Sequence, residues 1–173
     1  MRLKVLFVAA GLVCCASPLR AEDAPVAAPA SAPASAPANT PDIPSIEVTY
    51  RELATRADVT SLCEIFMLDL VQRDYDEAFG AVRAYFPISD ERFTRMRDEA
   101  RKQHALAELQ FGKPLGHTLA REELVNDTVL KLVYLEKYEW DALVWEFTFY
   151  KPTEGWIING ISFDDGFRSL FRQ

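Results

Sequence analysis

Apolar residues recur at helical spacing in "ADVTSLCEIFMLDLVQRD", where Val59, Leu62, Cys63, Phe66 and Leu70 share one face and Met67 borders it. The pattern predicts a first helix, capped by Asp58 or by a capping box of Ser61 and Glu64. Ile65 and Leu68 fall off this stripe, which predicts that the helix is covered on more than one side. "RDYDEAFGAVRAYFP" predicts a short second helix with Asp74 or Asp76 as cap, Tyr75 stapled against Phe79, and Pro87 as its stop. Ser89 caps a third helix, "DERFTRMRDEARKQHALAELQ", with Phe93, Met96, Ala100, His104 and Ala107 as its stripe. The charges over the rest of it read as a solvated face. Gly112, Pro114 and Gly116 then break the helix.

From there the period changes to two. "HTLAREELV", "TVLKLVYLEKY", "LVWEFTFYK" and "WIINGISFD" predict four antiparallel strands. In the third, Leu143, Trp145, Phe147 and Phe149 point one way, and Val144, Glu146, Thr148 and Tyr150 the other. Pro152-Thr153-Glu154-Gly155 joins it to the fourth, and two registers are open. One sets Phe147 opposite Gly160 and leaves space beside the rings. A one-residue slip instead brings Ile157, Ile161 and Phe163 onto the Trp145 face. Phe167, Leu170 and Phe171 are placed to cover an open end of the sheet. The predicted class is α+β, with about three N-terminal helices packed on an antiparallel sheet of about four strands.

The N-terminal third is different. Residues 1–21 have a basic start (Arg2, Lys4) and an apolar run from Val5 to Ala16. That run is shorter than the ~20 residues a spanning helix needs, and it fits a signal peptide cleaved after Ala16 or Ala21. Export to the bacterial periplasm is the expectation, with a lipid anchor at Cys15 as the competing outcome. Leu12 and Val13 suit lipidation and Cys14 does not. Residues 22–46, rich in Pro, Ala and Ser, cannot build a core and read as a disordered linker. Residues 47–173 form one domain. No second long apolar run follows, so no transmembrane domain is expected after the leader.

Charge and cysteine content narrow the function. Loss of Arg2, Lys4 and Arg20 with the leader takes the net charge from −7 to −10. An acidic chain disfavours nucleic acid, which attracts Lys/Arg-rich surfaces; it suits solubility or a basic protein partner. Cys63 is then left alone, as a small buried hydrophobe without a disulfide partner.

Helices followed by a sheet with one aromatic face resemble the nuclear transport factor 2-like superfamily. The resemblance is carried by "RDYDEAF" and "FYKPTEGWIINGISFDD" and spans residues 50–173. It is closest to small exported bacterial members without assigned activity, and it implies a cone-like sheet curved around a helix. The candidate pocket lining in such a cone is Trp145, Phe147, Phe149, Ile158, Gly160 and His104. His104 is the one ionisable residue centred on a helical stripe; Asp69 lies at a stripe's edge, and Glu146 and Asn159 share an outer sheet face in the first register. No metal site, phosphate loop, nucleophile elbow, cofactor or catalytic set is read from the sequence. The expected function is a non-catalytic exported binding domain, holding an apolar small ligand in the cone or a protein partner on its surface. An immunity-type inhibitor of an exported toxin comes second, and an isomerase- or dehydratase-like enzyme third.

Overall fold

Thr55 starts the first helix. Its backbone is extended, its hydroxyl accepts the Asp58 N–H at 3.1 Å, and the Asp58 carboxylate accepts the Thr55 N–H at 2.9 Å. Thr55 and Asp58 therefore form the capping box, nearly two turns before the one expected at Ser61, and Asp58 is its N3 residue and not the cap. A computed structural model describes residues 49–171 together with Lys4–Val5. The leader, its cleavage points, the Cys15 anchor and the linker lie outside the described residues, Lys4–Val5 apart. The helices are α1 (Arg56–Val71), α2 (Tyr75–Arg83) and α3 (Asp90–Phe111). Asp74 caps α2 and Ser89 caps α3 through side-chain oxygens. The expected stripes of α1 and α3 are buried, and Phe111 extends the second of them. Ile65 and Leu68 of α1 are half-exposed, so among the described residues the expected second covered side of that helix is not there.

The strands are β1 (Lys4–Val5), β2 (Pro114–Val125), β3 (Val129–Tyr138), β4 (Ala142–Tyr150) and β5 (Ile157–Asp164). All pair antiparallel in the order β1-β5-β4-β3-β2. A 3-10 turn, Phe167–Phe171, follows β5. The sheet is open and uncurled, which overturns the expected cone. A cone would need the strands to tilt and stagger until the sheet wraps the helix. Here the helices lie on one face, and β2, a largely exposed strand, ends the sheet. The pattern of alternation specified which face is buried but not how far the sheet bends.

The β4–β5 register resolves the alternatives left by the sequence. Trp145 pairs with Phe163 and Phe147 with Ile161; an irregularity between Thr148 and Phe149 then sets Phe149 opposite Ile158. The extra residue shifts the phase, so Ile158 rather than Ile157 joins Ile161 and Phe163 in the core. Gly160 pairs with Thr148, away from the aromatic row. Trp145 stacks on Phe163 at 4.4 Å between centroids. Phe66 of α1 meets Phe79, Trp145 and Phe147 edge to face at 5.2, 5.6 and 5.3 Å. This one ring joins two helices to the sheet. Phe66→Ala is expected to cost about 3–5 kcal/mol of stability, and urea unfolding followed by far-UV circular dichroism measures it; a loss below about 1 kcal/mol would mean that another side chain occupies the centre.

Candidate functional site

α1 ends in an uncommon way. The Asp74 N–H donates to the Asp69 carbonyl at 2.9 Å and the Arg73 N–H to the Leu70 carbonyl at 3.0 Å. This is the Schellman closure, in which the residue just past the cap adopts a left-handed backbone and is usually glycine. Here it is Arg73, at φ 67°, a conformation that costs a non-glycine residue about 1 kcal/mol.

The Arg73 side chain accounts for the choice. Its Nη1 donates to the Leu70 carbonyl at 3.2 Å and to Glu136 Oε1 at 2.9 Å, and its Nη2 donates to Tyr138 Oη at 3.1 Å. Its Nε pairs with Glu108 of α3. Glu136 is fully buried in β3. Oε1 also accepts the Tyr138 hydroxyl at 2.9 Å, and Oε2 accepts the Trp145 indole N–H at 3.0 Å. His104 Nε2 lies 3.2 Å from Oε2, off the straight line of a hydrogen bond. On the other side of the imidazole, Nδ1 is 3.1 Å from the Tyr75 hydroxyl. The network thus ties the α1–α2 junction, α2, α3, β3 and β4 together.

Burial alone would raise the Glu136 carboxyl; the adjoining His104 and then the Arg73 guanidinium outweigh it and hold it down at about 2. Burial pushes the Tyr75 hydroxyl up to about 12, against the pull of Arg73. The Tyr138 hydroxyl is raised by burial and by Glu136. Chemically this is a closed set. Glu136 is ionised with both oxygens engaged, so it is not poised to take a proton near neutrality. Arg73 is already neutralised by two carboxylates, so it is not an anion receptor. The work left to the network is positional.

What it positions is one end of the molecule. Arg73 closes α1, Glu108 lies in the last turn of α3, and Tyr138 ends β3. The β3–β4 turn is bound to the same place: the Trp140 N–H donates to the Phe111 carbonyl at 3.0 Å and the Glu139 N–H to the Lys113 carbonyl at 3.1 Å. Glu139 Oε2 accepts the Lys113 N–H at 3.1 Å across Gly112, whose φ of +84° and lack of a Cβ leave room for that carboxylate. α1 is held beside β2 by Glu64 and His117 at 2.9 Å. Leu68, Leu109, Leu115 and Trp140 therefore arrive at this end from four segments, and they stay 51, 83, 64 and 74 % exposed.

The expected pocket residues lie elsewhere. Trp145, Phe147, Phe149, Ile158 and His104 are buried in the core and Gly160 is half-buried opposite Thr148. The rings of Phe66, Phe163 and His104 pack against this row, and nothing supports a cone-shaped ligand pocket. The expected functions, namely the apolar ligand in a cone, the isomerase-like enzyme and the immunity-type inhibitor suggested by size, export and acidity, are accordingly withdrawn. Asp69 supplies only its carbonyl, to the helix stop. Glu146 pairs with Lys131 on the outer face at 3.4 Å. Cys63 is buried, and burial followed by the neighbouring Glu64 pushes its thiol well up, as fits a structural cysteine. Among the described residues, no three His, Cys, Asp or Glu side chains group as a metal would need, and no helix is long and apolar enough to cross a membrane.

Sequence reasoning missed Glu136 and Arg73. Glu136 carried a signal: it falls in phase with Leu130, Leu132, Tyr134 and Tyr138 on the buried side of β3. Comparison with protein-family models, with curated proteins and with solved structures finds no match. The resemblance to the nuclear transport factor 2-like superfamily is not sustained, since no match backs it and the sheet is open.

Two outcomes follow for stability. Arg73→Gly relieves the backbone but strands a buried carboxylate, for a net loss of about 2–4 kcal/mol; Glu136→Gln in the same chain is expected to recover part of it in a double-mutant cycle. A neutral or stabilising Arg73→Gly would show that the ion pair holds nothing. The pH dependence has a definite sign. Glu136 binds its proton less readily when folded, about 2 against an ordinary 4.5, so its contribution of about 3 kcal/mol is present above pH 4.5 and is lost as pH falls towards 2. Urea midpoints should fall over that window in the wild type and more shallowly in Glu136→Gln. Parallel curves would remove Glu136 as the cause.

Proposed function

We propose that this chain is a protein-interaction domain and that its working surface is the end carrying Leu68, Leu109, Leu115 and Trp140. The observation behind it is the exposure of these four large apolar side chains, from four segments, at the place where the buried network fixes the segments together. Isolated exposed apolar residues need no explanation, whereas a contiguous apolar patch marks an interaction site, and the proposal is that these four form one. Tryptophan is among the residues that most often dominate binding energy. A surface held rigid beforehand also loses less entropy on association.

The test uses the full chain in the cell that makes it. A photoreactive side chain in place of Leu115 is expected to give discrete adducts, and the same group in place of Glu154, in the β4–β5 turn, is not. The Leu115 adducts should disappear when Trp140→Ala is added. Adducts of equal yield from both positions, or none from Leu115, would overturn the assignment.

A further inference from the structure

We infer that the outer edge of β5 is a strand-binding site and that the N-terminal segment of this same chain, around Lys4–Val5, is its occupant. The inference stands apart from the interaction surface above and rests on backbone pairing. A strand at the end of a sheet presents a row of free N–H and C=O groups. The domain covers the first part of that row itself. The Leu53 N–H donates to the Trp156 carbonyl at 2.9 Å, the Trp156 N–H to the Leu53 carbonyl at 2.8 Å, and the Ile158 N–H to the Tyr85 carbonyl at 2.9 Å. At the far end of β5 the cover comes from elsewhere: Val5 pairs with Phe163 and Lys4 with Asp164, antiparallel.

The two edges of the sheet differ in what protects them. Along β2 stand Arg121, Glu122 and Glu123, and register irregularities interrupt it at Pro114/Gly116 and Leu119/Arg121. Gly160-Ile161-Ser162-Phe163, past the irregularity of β5, carries no charge and no proline. Such an edge accepts an extended segment through main-chain bonds. The N-terminal stretch Leu3-Lys4-Val5-Leu6-Phe7-Val8 is rich in residues that favour strands. Residues 6–48 join it to the domain, which meets β5 again where Leu53 bridges Trp156. The eight residues of β5 span only ~26 Å, well within the reach of that connection. Linkage also gives the segment an effective concentration that favours it over a free strand. Two ladder pairs hold weakly, so the segment shields the edge without locking it. Removal of the leader would open the site to an extended strand of another protein.

Full chain made by cell-free synthesis, which keeps the leader on, tests the proposal in two ways. With Cys14 and Cys15 replaced by serine, Lys4→Cys/Asp164→Cys is expected to close an intramolecular disulfide under mild oxidation. Directly opposite residues of an antiparallel pair lie about 4.5–5.5 Å apart between Cα atoms, within disulfide reach. Lys4→Cys/Glu154→Cys, at the other end of β5, should not close one. Secondly, amide hydrogen exchange over residues 160–164 should become about tenfold faster in Lys4→Pro/Val5→Pro, since proline has no N–H to give the ladder. Ala27→Pro/Ala28→Pro, in the linker, should leave it unchanged. Near-UV circular dichroism confirms that these variants are folded, and the disulfide decides if the prolines at 4 and 5 prevent folding. A disulfide no more abundant than in the Glu154 control, or equal exchange in wild type and Lys4→Pro/Val5→Pro, overturns the inference. Either failure leaves the Leu115 adducts untouched, because the two sites share no residue.

Discussion

A carboxylate removed from water has to be met by charge and hydrogen bonds, and the buried Glu136 imposes that requirement on the whole domain. Its position on β3 is shared with leucines and tyrosines that need only to be covered. Glu136 needs specific donors at specific angles. They come from the α1–α2 junction (Arg73), from β3 itself (Tyr138) and from β4 (Trp145), with His104 of α3 alongside. The left-handed turn at Arg73 follows from the same demand. Glycine would serve the backbone better there, but it would leave the carboxylate without its cation.

Hydrophobic burial alone is tolerant of small shifts between packed elements, because apolar contacts have no direction. A network of directed bonds is less tolerant, and here it fixes the ends of α1, α3 and β3 relative to one another. Leu68, Leu109, Leu115 and Trp140 stand exposed near those ends. Each of these residues belongs to a different segment, and none would mark a site by itself.

Much of the fold was legible. The stripes of α1 and α3, the caps at Asp74 and Ser89 and the inward row Leu143, Trp145, Phe147 and Phe149 all express local periodicity, which the chain carries in its order of residues. What depended on distant parts was not. The extra residue at Thr148/Phe149 reversed the phase of half of β5, and no local pattern announces such an insertion. Sheet curvature was read from a family likeness and not from residues, and it was wrong. Ile65 and Leu68 look like core in composition; only the assembled neighbours show that, among the described residues, they stay half-exposed. Arg73 in a left-handed turn contradicts the usual glycine preference, and Glu136 hides in an apolar alternation as one acid among many. Both are intelligible only as a pair, 63 residues apart in the chain.

The stop at Arg73 has a bearing on how the chain reaches its folded state. In an isolated α1 segment only the local closing hydrogen bonds offset the left-handed backbone at that residue, and the helix has no strong reason to end there. The turn becomes favourable only once β3 lies beneath it and α3 stands beside it. Completion of the helix is thereby deferred until non-local contacts with high closure entropy are made. Partly assembled forms, with the helices in place and the sheet not, hold the left-handed residue without the Glu136 contact that offsets it. Such intermediates are penalised relative to both the unfolded and the finished chain, which sharpens the all-or-none character of the transition.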